Sequence, residues 1–124
     1  MIFRFTLIGL FFALCSGLVQ AREHPSIFIT AQEAKDIRTN LTNYPVLQRS
    51  IDVAAAEVEQ ALENEMIIPP PGEAGGYEHE KHKQNYREMR NAGLLFAITG
   101  KKKYSQFVHS MLRRYADIYP DLGP

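Results

Sequence analysis

The residues from Met89 to Tyr115 read MRNAGLLFAITGKKKYSQFVHSMLRRY, and this stretch decides the fold of the chain. Gly100 separates two segments with helical spacing, and glycine is common just after the last residue of a helix because it tolerates the left-handed conformation. After Gly100, apolar side chains recur every three or four residues: Tyr104, Phe107, Val108, Met111, Leu112, Tyr115 and Ile118. Because only one or two residues around Gly100 connect the two helices, the sequence predicts an antiparallel helix hairpin.

The helices of this hairpin have clear predicted bounds. The earlier one runs from about Glu78 to Thr99, and the later one opens at Lys101 and ends at Pro120. Proline cannot continue a helix, because it lacks the backbone N–H and its ring clashes with the preceding turn.

Two more helices are predicted before the hairpin. Thr30 and Glu33 have the spacing of a capping box, which starts a helix that extends to about Leu41. Pro45 suits the first position of the next helix, which we expect to reach about Glu65. Because no segment alternates like a strand, we predict an all-α fold built of antiparallel helix hairpins.

The N-terminal segment has the pattern of an export signal. Arg4 is followed by an apolar run from Phe5 to Val19, and small residues precede a predicted cleavage after Ala21. A membrane-spanning helix needs about 20 apolar residues, and this run is shorter. We therefore expect residues 1–21 to be a signal peptide and residues 22–124 to form part of one exported domain, periplasmic or secreted and not in the membrane.

The chain has a single cysteine, Cys15, inside the predicted signal peptide. The alternative to simple cleavage is lipid attachment at Cys15, but Leu14 precedes it where a small residue is expected. If the segment is cleaved, the exported chain has no thiol. Disulfides, thiolate metal sites and a cysteine nucleophile are then excluded.

The composition excludes several classes of protein. Lys and Arg together number 14, as do Asp and Glu, so the formal net charge is zero. A chain without excess positive charge is not expected to bind nucleic acid or an anionic membrane surface. Apolar residues at 45% and charged residues at 23% are ordinary values for a globular protein, which argues against intrinsic disorder.

The segment GGYEHEKHKQNY, residues 75–86, is where chemistry is expected. On a helix, the His and Tyr rings of this segment lie on the same face as three residues further along the chain. We expect this stripe to face the protein interior or a cleft: His79, His82, Tyr86, Met89, Gly93 and Phe96. Such a segment could bind a metal, bind an anionic sugar, or simply cap the helix. We predict no metal, because a third ligand is missing and Lys83 stands where a second zincin histidine is required. On a sugar-binding surface, tyrosine rings stack on sugar faces while basic and amide groups hold carboxylates and hydroxyls.

Other conspicuous residues have simpler interpretations. Tyr104, Tyr115 and Tyr119 lie at core spacing, so we expect them to pack. His109 lies off the apolar stripe of its helix and is expected to be exposed, as is the lysine run at residues 101–103.

Several motifs in order resemble the N-terminal part of the oligoalginate lyases of polysaccharide lyase family 17, in the wider heparinase II/III-like group. They are His24-Pro25, Ile27-Phe28-Ile29-Thr30, Pro69-Pro-Pro, the segment at 75–86, Asn91-Ala-Gly93, Thr99-Gly100 with Tyr104, and Tyr115-Ala-x-x-Tyr-Pro-x-Leu-Gly123. The segment at 75–86 is fairly specific, and the other motifs support it.

This resemblance implies the opening part of an incomplete α/α toroid that is followed by β-sheet domains. It implies β-elimination of alginate, an acidic polysaccharide. The residues of this chain predict no cofactor. The family's proton-transfer residues, a tyrosine with a His and an Asn, are expected beyond Pro124, so we expect a truncated chain that contains no catalytic residue and is inactive alone. The candidates for substrate binding are Tyr77, His79, His82, Lys83, Asn85 and Tyr86. The alternative is a non-catalytic helical module that binds acidic glycans or scaffolds a partner; the oligomeric state is not indicated.

Overall fold

The three-dimensional structure is a computed structural model, and it describes residues 27–64, 66–70 and 75–121. The predicted signal peptide and Cys15 lie outside these residues. Four α-helices are present within them: α1 at Ala31–Asn40, α2 at Pro45–Glu63, α3 at Tyr77–Thr99 and α4 at Lys102–Ile118. Short 3₁₀ turns follow α1 and α4, at Leu41–Asn43 and Tyr119–Asp121. No strand occurs in this part of the chain, which confirms the prediction of an all-α fold.

The predicted start of α1 is confirmed in detail. The Glu33 side chain accepts a hydrogen bond from the Thr30 backbone N–H at 2.7 Å, and the Glu33 N–H donates to the Thr30 hydroxyl at 3.2 Å. This reciprocal pair satisfies backbone donors that the first turn of a helix leaves free. Pro45 is the first residue of α2, as predicted, and α2 ends at Glu63, slightly before the predicted Glu65.

The hairpin around Gly100 is also confirmed. Gly100 has a φ of 71°, in the left-handed region, and its N–H donates to the Phe96 carbonyl at 2.8 Å. Gly100 and Lys101 alone connect α3 to α4. Because the connection is this short, α3 and α4 pack against each other from the turns next to it.

The core lies between α2 and the α3–α4 hairpin. One buried side chain comes from α2, two come from α3 and three come from α4: Val58, Ala92, Leu95, Tyr104, Phe107 and Met111. Their removal from water supplies the main favourable term for packing α2 on the hairpin.

Helix α1 is attached to the end of α3 through Arg38 and Ala34. The Arg38 guanidinium donates to the Ala97 carbonyl at 3.2 Å and to the Ile98 carbonyl. Carbonyls in the last turn of a helix lack intrahelical partners, and a cation there also interacts favourably with the helix dipole. Ala34 is only 3% exposed, so α1 is anchored by both apolar and polar contacts.

A second polar contact joins α2 to α4. Glu59 accepts a hydrogen bond from the Tyr104 hydroxyl at 2.8 Å and pairs with Lys103. Burial raises the pKa of Tyr104 to about 12, and the hydrogen bond to Glu59 adds to the effect. The hydrogen bonds from Lys103 and Tyr104 hold the pKa of Glu59 below its ordinary value.

The prediction that one stripe of α3 faces the protein interior or a cleft was wrong for His79 and Phe96, which are exposed. His79 is exposed, Tyr86 is 54% exposed and Phe96 is 40% exposed. The buried residues of α3 are instead Asn85, Ala92, Leu95 and Ile98. The predicted stripe therefore lies along the edge of the buried face, because the contacts with α2 and α4 set the rotation of α3 about its axis.

In α4 most of the predicted apolar stripe is buried or half-buried, but Leu112 is 57% exposed. Tyr119, in the 3₁₀ turn after α4, is 75% exposed. The predictions that these two side chains pack were therefore wrong. His109 is exposed, as predicted. Within the described residues, no helix combines the length and the apolar character needed to cross a membrane.

Candidate functional site

The six residues predicted to bind substrate lie in the first turns of α3 but have different environments. Tyr77 is 73% exposed, and His79 and Lys83 are also exposed. Lys83 forms an ion pair with Glu80 at 2.8 Å. His82 is half-buried, Tyr86 is half-exposed and Asn85 is 1% exposed. The candidates therefore form an outer group and an inner group on the same helix.

Asn85 is the buried polar residue at the centre of the inner group. Its Nδ2 lies 3.0 Å from the Ile67 carbonyl oxygen and 3.0 Å from the Tyr115 hydroxyl. A carbonyl oxygen only accepts hydrogen bonds, so the nitrogen side of the amide must face Ile67. Asn85 thus connects α3 both to the segment after α2 and to α4.

Tyr115 from α4 connects Asn85 to His82. The Tyr115 hydroxyl lies 2.9 Å from Nδ1 of His82, within hydrogen-bond distance. Burial raises the pKa of Tyr115, and the charge interaction with Tyr86 also raises it, whereas the hydrogen bond from Asn85 acts in the opposite direction. The phenol therefore keeps its proton near neutral pH and remains able to donate.

Three rings meet at this point of the α3–α4 hairpin. The ring centroids of Tyr86 and Tyr115 are 5.6 Å apart, and those of His82 and Tyr115 are 5.7 Å apart. His82 and Tyr86 are stacked at 6.4 Å, one turn apart on α3. Such distances are typical of favourable aromatic pairs. We call these three residues the aromatic cluster.

A shallow groove of about 420 Å³ begins at the aromatic cluster and runs along α4. Its lining is mainly apolar and aromatic, and it consists of Tyr86, Met89, Leu112, Tyr115, Ala116 and Tyr119. The side chains of Leu112 and Tyr119, which helical spacing had assigned to the core, form the outer part of this groove. An apolar wall with polar groups at one end is the usual composition of a site for a small ligand.

The described residues contain no group of three His, Cys, Asp or Glu side chains arranged to bind a metal ion. The aromatic cluster offers ring faces for stacking and one imidazole. The phenol of Tyr86 lies at its solvent side. Together, the ring faces, the imidazole and the phenol can bind a ligand that has polar groups at its edges and a flat apolar face.

Sequence reasoning missed Tyr115, which it assigned to packing. The helical spacing of α4 placed Tyr115 correctly on the inner face, but no local signal shows that its hydroxyl meets side chains of α3. The burial of Asn85 indicates such a contact, since a buried amide requires hydrogen-bond partners, but that burial is known only from the structure.

Two proteins named as alginate lyases resemble this chain in amino-acid sequence. A protein named "Exo-oligoalginate lyase" from Saccharophagus degradans is 34% identical over 106 residues, which are 85% of this chain and 14% of that protein. A protein named "Alginate lyase" from Stenotrophomonas maltophilia is 30% identical over 99 residues, 79% of this chain and 13% of that protein. No protein-family model matches the chain.

The chain thus spans about one seventh of the length of the curated relatives it matches. Both matches include most of the helical part of the chain, since each covers about four fifths of its residues or more. The chain is therefore related, over most of its length, to a segment of proteins named as alginate lyases.

Proposed function

We propose that this chain is a helical segment of an enzyme that cleaves alginate or its oligosaccharides by β-elimination. The observation that carries the proposal is the similarity to two proteins named as alginate lyases over 85% and 79% of the chain. Membership of polysaccharide lyase family 17, and a position at the opening of an α/α toroid, are parts of the same proposal. The all-α hairpin arrangement is compatible with both.

The chemistry of β-elimination limits what this segment contributes. The reaction needs neutralisation of the uronate carboxylate, a base for the proton at C5 and an acid for the leaving glycosidic oxygen. The relatives are about seven times as long as the matched segment, so the proton-transfer groups need not lie in it. We propose that the segment contributes to substrate binding and does not cleave alginate alone.

The proposed binding surface is the aromatic cluster with its groove. His82 and Tyr86 contact the sugar, since Tyr86 lines the groove, His82 stacks beside it, and both side chains are partly exposed. Tyr77, His79 and Lys83 extend the surface along the exposed side of α3. Asn85 supports the surface from inside, because its amide is buried and bonded within the protein.

An NMR titration of the chain with an alginate trisaccharide tests this surface. We expect shifts at His82, Tyr86 and Tyr115, and none with a neutral trisaccharide of equal length. His82→Ala should weaken binding severalfold, as expected for the loss of one polar contact and part of a stacked pair. His109→Ala is the matched control, because His109 is an exposed histidine on α4 outside the groove.

Shifts confined to other parts of the chain, or equal shifts with the neutral sugar, would contradict the proposed surface.

Cleavage is measured by the ultraviolet absorbance of the conjugated double bond that elimination creates. We expect no rise with the chain alone; a rise would show that the segment itself contains the proton-transfer residues.

We also propose that the protein is exported, to the periplasm or outside the cell, with residues 1–21 removed. The motifs around Val19-Gln20-Ala21 support this. N-terminal sequencing of the exported product should begin at Arg22. A product that retains Met1 in the cytoplasm would contradict the proposal.

A further inference from the structure

We propose that Tyr115 and Asn85 are positioning residues that hold His82 in the tautomer with the proton on Nε2. In this arrangement His82 offers an N–H donor at the aromatic cluster, for an oxygen acceptor of the ligand. Only the identity of that ligand, a uronate hydroxyl or carboxylate, rests on the proposed function. The tautomer itself follows from the hydrogen bonds.

The direction of the hydrogen bonds starts at Asn85. Its Nδ2 carries two hydrogens and lies 3.0 Å from each of two oxygens, the Ile67 carbonyl and the Tyr115 hydroxyl. The Ile67 carbonyl fixes the orientation of the amide, because it can only accept a hydrogen bond. One hydrogen therefore goes to Ile67, and the other goes to the Tyr115 oxygen.

Tyr115 determines which atom donates in the hydrogen bond to His82. Its oxygen accepts the hydrogen bond from Asn85, which leaves the hydroxyl proton free to donate. Nδ1 of His82, at 2.9 Å, is the other hydrogen-bond partner of this hydroxyl among the described residues. A hydroxyl that donates to Nδ1 requires an unprotonated Nδ1, so the neutral ring carries its proton on Nε2.

The opposite tautomer has the proton on Nδ1 of His82 and is a less favourable arrangement of the same atoms. If Nδ1 carried the proton, the Tyr115 oxygen would accept two hydrogen bonds and its own proton would have to turn away. A half-buried hydroxyl without a partner costs free energy, so the arrangement in which the Tyr115 hydroxyl donates to Nδ1, and only the Nε2–H of His82 stays available to a ligand, is favoured.

The rings reinforce the network. His82 contacts Tyr115 at 5.7 Å and stacks with Tyr86 at 6.4 Å, which limits rotation of the imidazole. A fixed ring with a fixed proton gives one donor in one direction. Binding then requires less ordering of the site, which is the general benefit of preorganisation.

Nitrogen-15 NMR that resolves the two ring nitrogens of each histidine tests the tautomer. In the wild-type chain, with the imidazole neutral, we expect His82 to carry its proton on Nε2 and Nδ1 to have the shift of a hydrogen-bonded acceptor. The exposed His79 and His109 provide internal references. A proton on Nδ1 of His82, or shifts that match the two references, would overturn the proposal.

The variant Tyr115→Phe removes only the hydroxyl. Its His82 nitrogen shifts should move to those of His79 and His109. Tyr104→Phe is the matched control, because it removes the hydroxyl bonded to Glu59 instead and should leave His82 unchanged. Unchanged His82 shifts in a folded Tyr115→Phe variant would overturn the proposal. If that variant does not fold, the wild-type spectrum still decides the question.

Titration with the alginate trisaccharide separates this inference from the proposed function. We expect Tyr115→Phe to weaken binding roughly fivefold, the effect of losing one ordered hydrogen bond. The Nε2–H tautomer without sugar binding would overturn the proposed ligand and leave the network intact. Sugar binding at His82 with the other tautomer would overturn the network and leave the proposed function intact.

Discussion

At the scale of single residues, buried polar groups as well as the apolar core determine how the helices of this molecule pack. Asn85 is 1% exposed, and Tyr104 is 2% exposed. Each forms its hydrogen bonds with partners from other helices or from the segment after α2. A buried polar group is tolerated only when its partners are present, so these residues make the packing of the elements specific.

Replacement of Asn85 should therefore be costly. Asn85→Ala removes the donor to the Ile67 carbonyl and to Tyr115, and we expect a loss of about 2–3 kcal/mol in the free energy of unfolding. Asn91→Ala is the matched control on the same helix. Asn91 makes a long contact of 3.4 Å to Glu57, so its loss should be within about 0.5 kcal/mol. Urea denaturation measures both, and equal losses would contradict the structural role of Asn85.

Tyr104 should make the stability sensitive to alkaline pH. Its pKa is about 12 in the folded protein and 10.0 ordinarily, so the neutral phenol favours the folded state. This contribution is complete below pH 10 and is lost as the pH rises from 10 to 12, because the unfolded chain ionises first. The loss is about 1.4 kcal/mol per pH unit. Tyr104→Phe should flatten the decline, whereas Tyr119→Phe, an exposed ring, should retain it. The same slope in Tyr104→Phe would rule out this residue as the cause.

At the scale of the elements, the ends of the helices follow local chemistry. The capping box of Thr30 and Glu33 starts α1, Pro45 starts α2 and Gly100 ends α3. Each signal acts over a few residues, because it satisfies or removes backbone groups at the end of a helix. This is why the predicted bounds agree with the structure to within about two residues.

Two glycines, one inside α3 and one at its end, should respond oppositely to alanine. Gly100 has a φ of 71°, so Gly100→Ala forces an alanine into the left-handed region and should destabilise by about 1 kcal/mol. Gly93 lies inside α3, and an added Cβ there has no neighbour within 4 Å. Gly93→Ala should therefore stabilise by up to about 1 kcal/mol. Thermal denaturation compares the two variants, and changes of the same sign would contradict the difference in backbone conformation between the two positions.

At the scale of the whole molecule, a small core coexists with exposed apolar side chains. Met111 is fully buried among α2, α3 and α4, whereas its neighbour Leu112 is 57% exposed at the groove. Adjacent residues on a helix differ by about 100° in direction, so one faces the core and the other does not. The exposed group supplies the wall of the groove, where we propose that the sugar lies.

This difference predicts opposite sensitivities for two adjacent residues. Met111→Ala should lose about 2–5 kcal/mol, because it leaves a cavity in the core. Leu112→Ala should lose less than about 1 kcal/mol, since the side chain is already largely in water. Chemical denaturation of both variants tests this. A larger loss for Leu112→Ala than for Met111→Ala would contradict the assignment of the core.

For residues 27–121, apart from the short gaps in the described ranges, the sequence by itself determined the number and bounds of the helices and the hairpin at Gly100, because caps, breaks and periodicity are local properties. Helical spacing also placed His82 and Tyr86 on a shared stripe. It did not decide the direction in which that stripe faces, since periodicity relates residues on one helix to each other and not to their neighbours. Only the packing of α3 against α2 and α4 put Asn85 inside, left Tyr86 half in water and brought Tyr115 to His82. Those contacts join residues about 30 positions apart in the sequence, so no local pattern contains them.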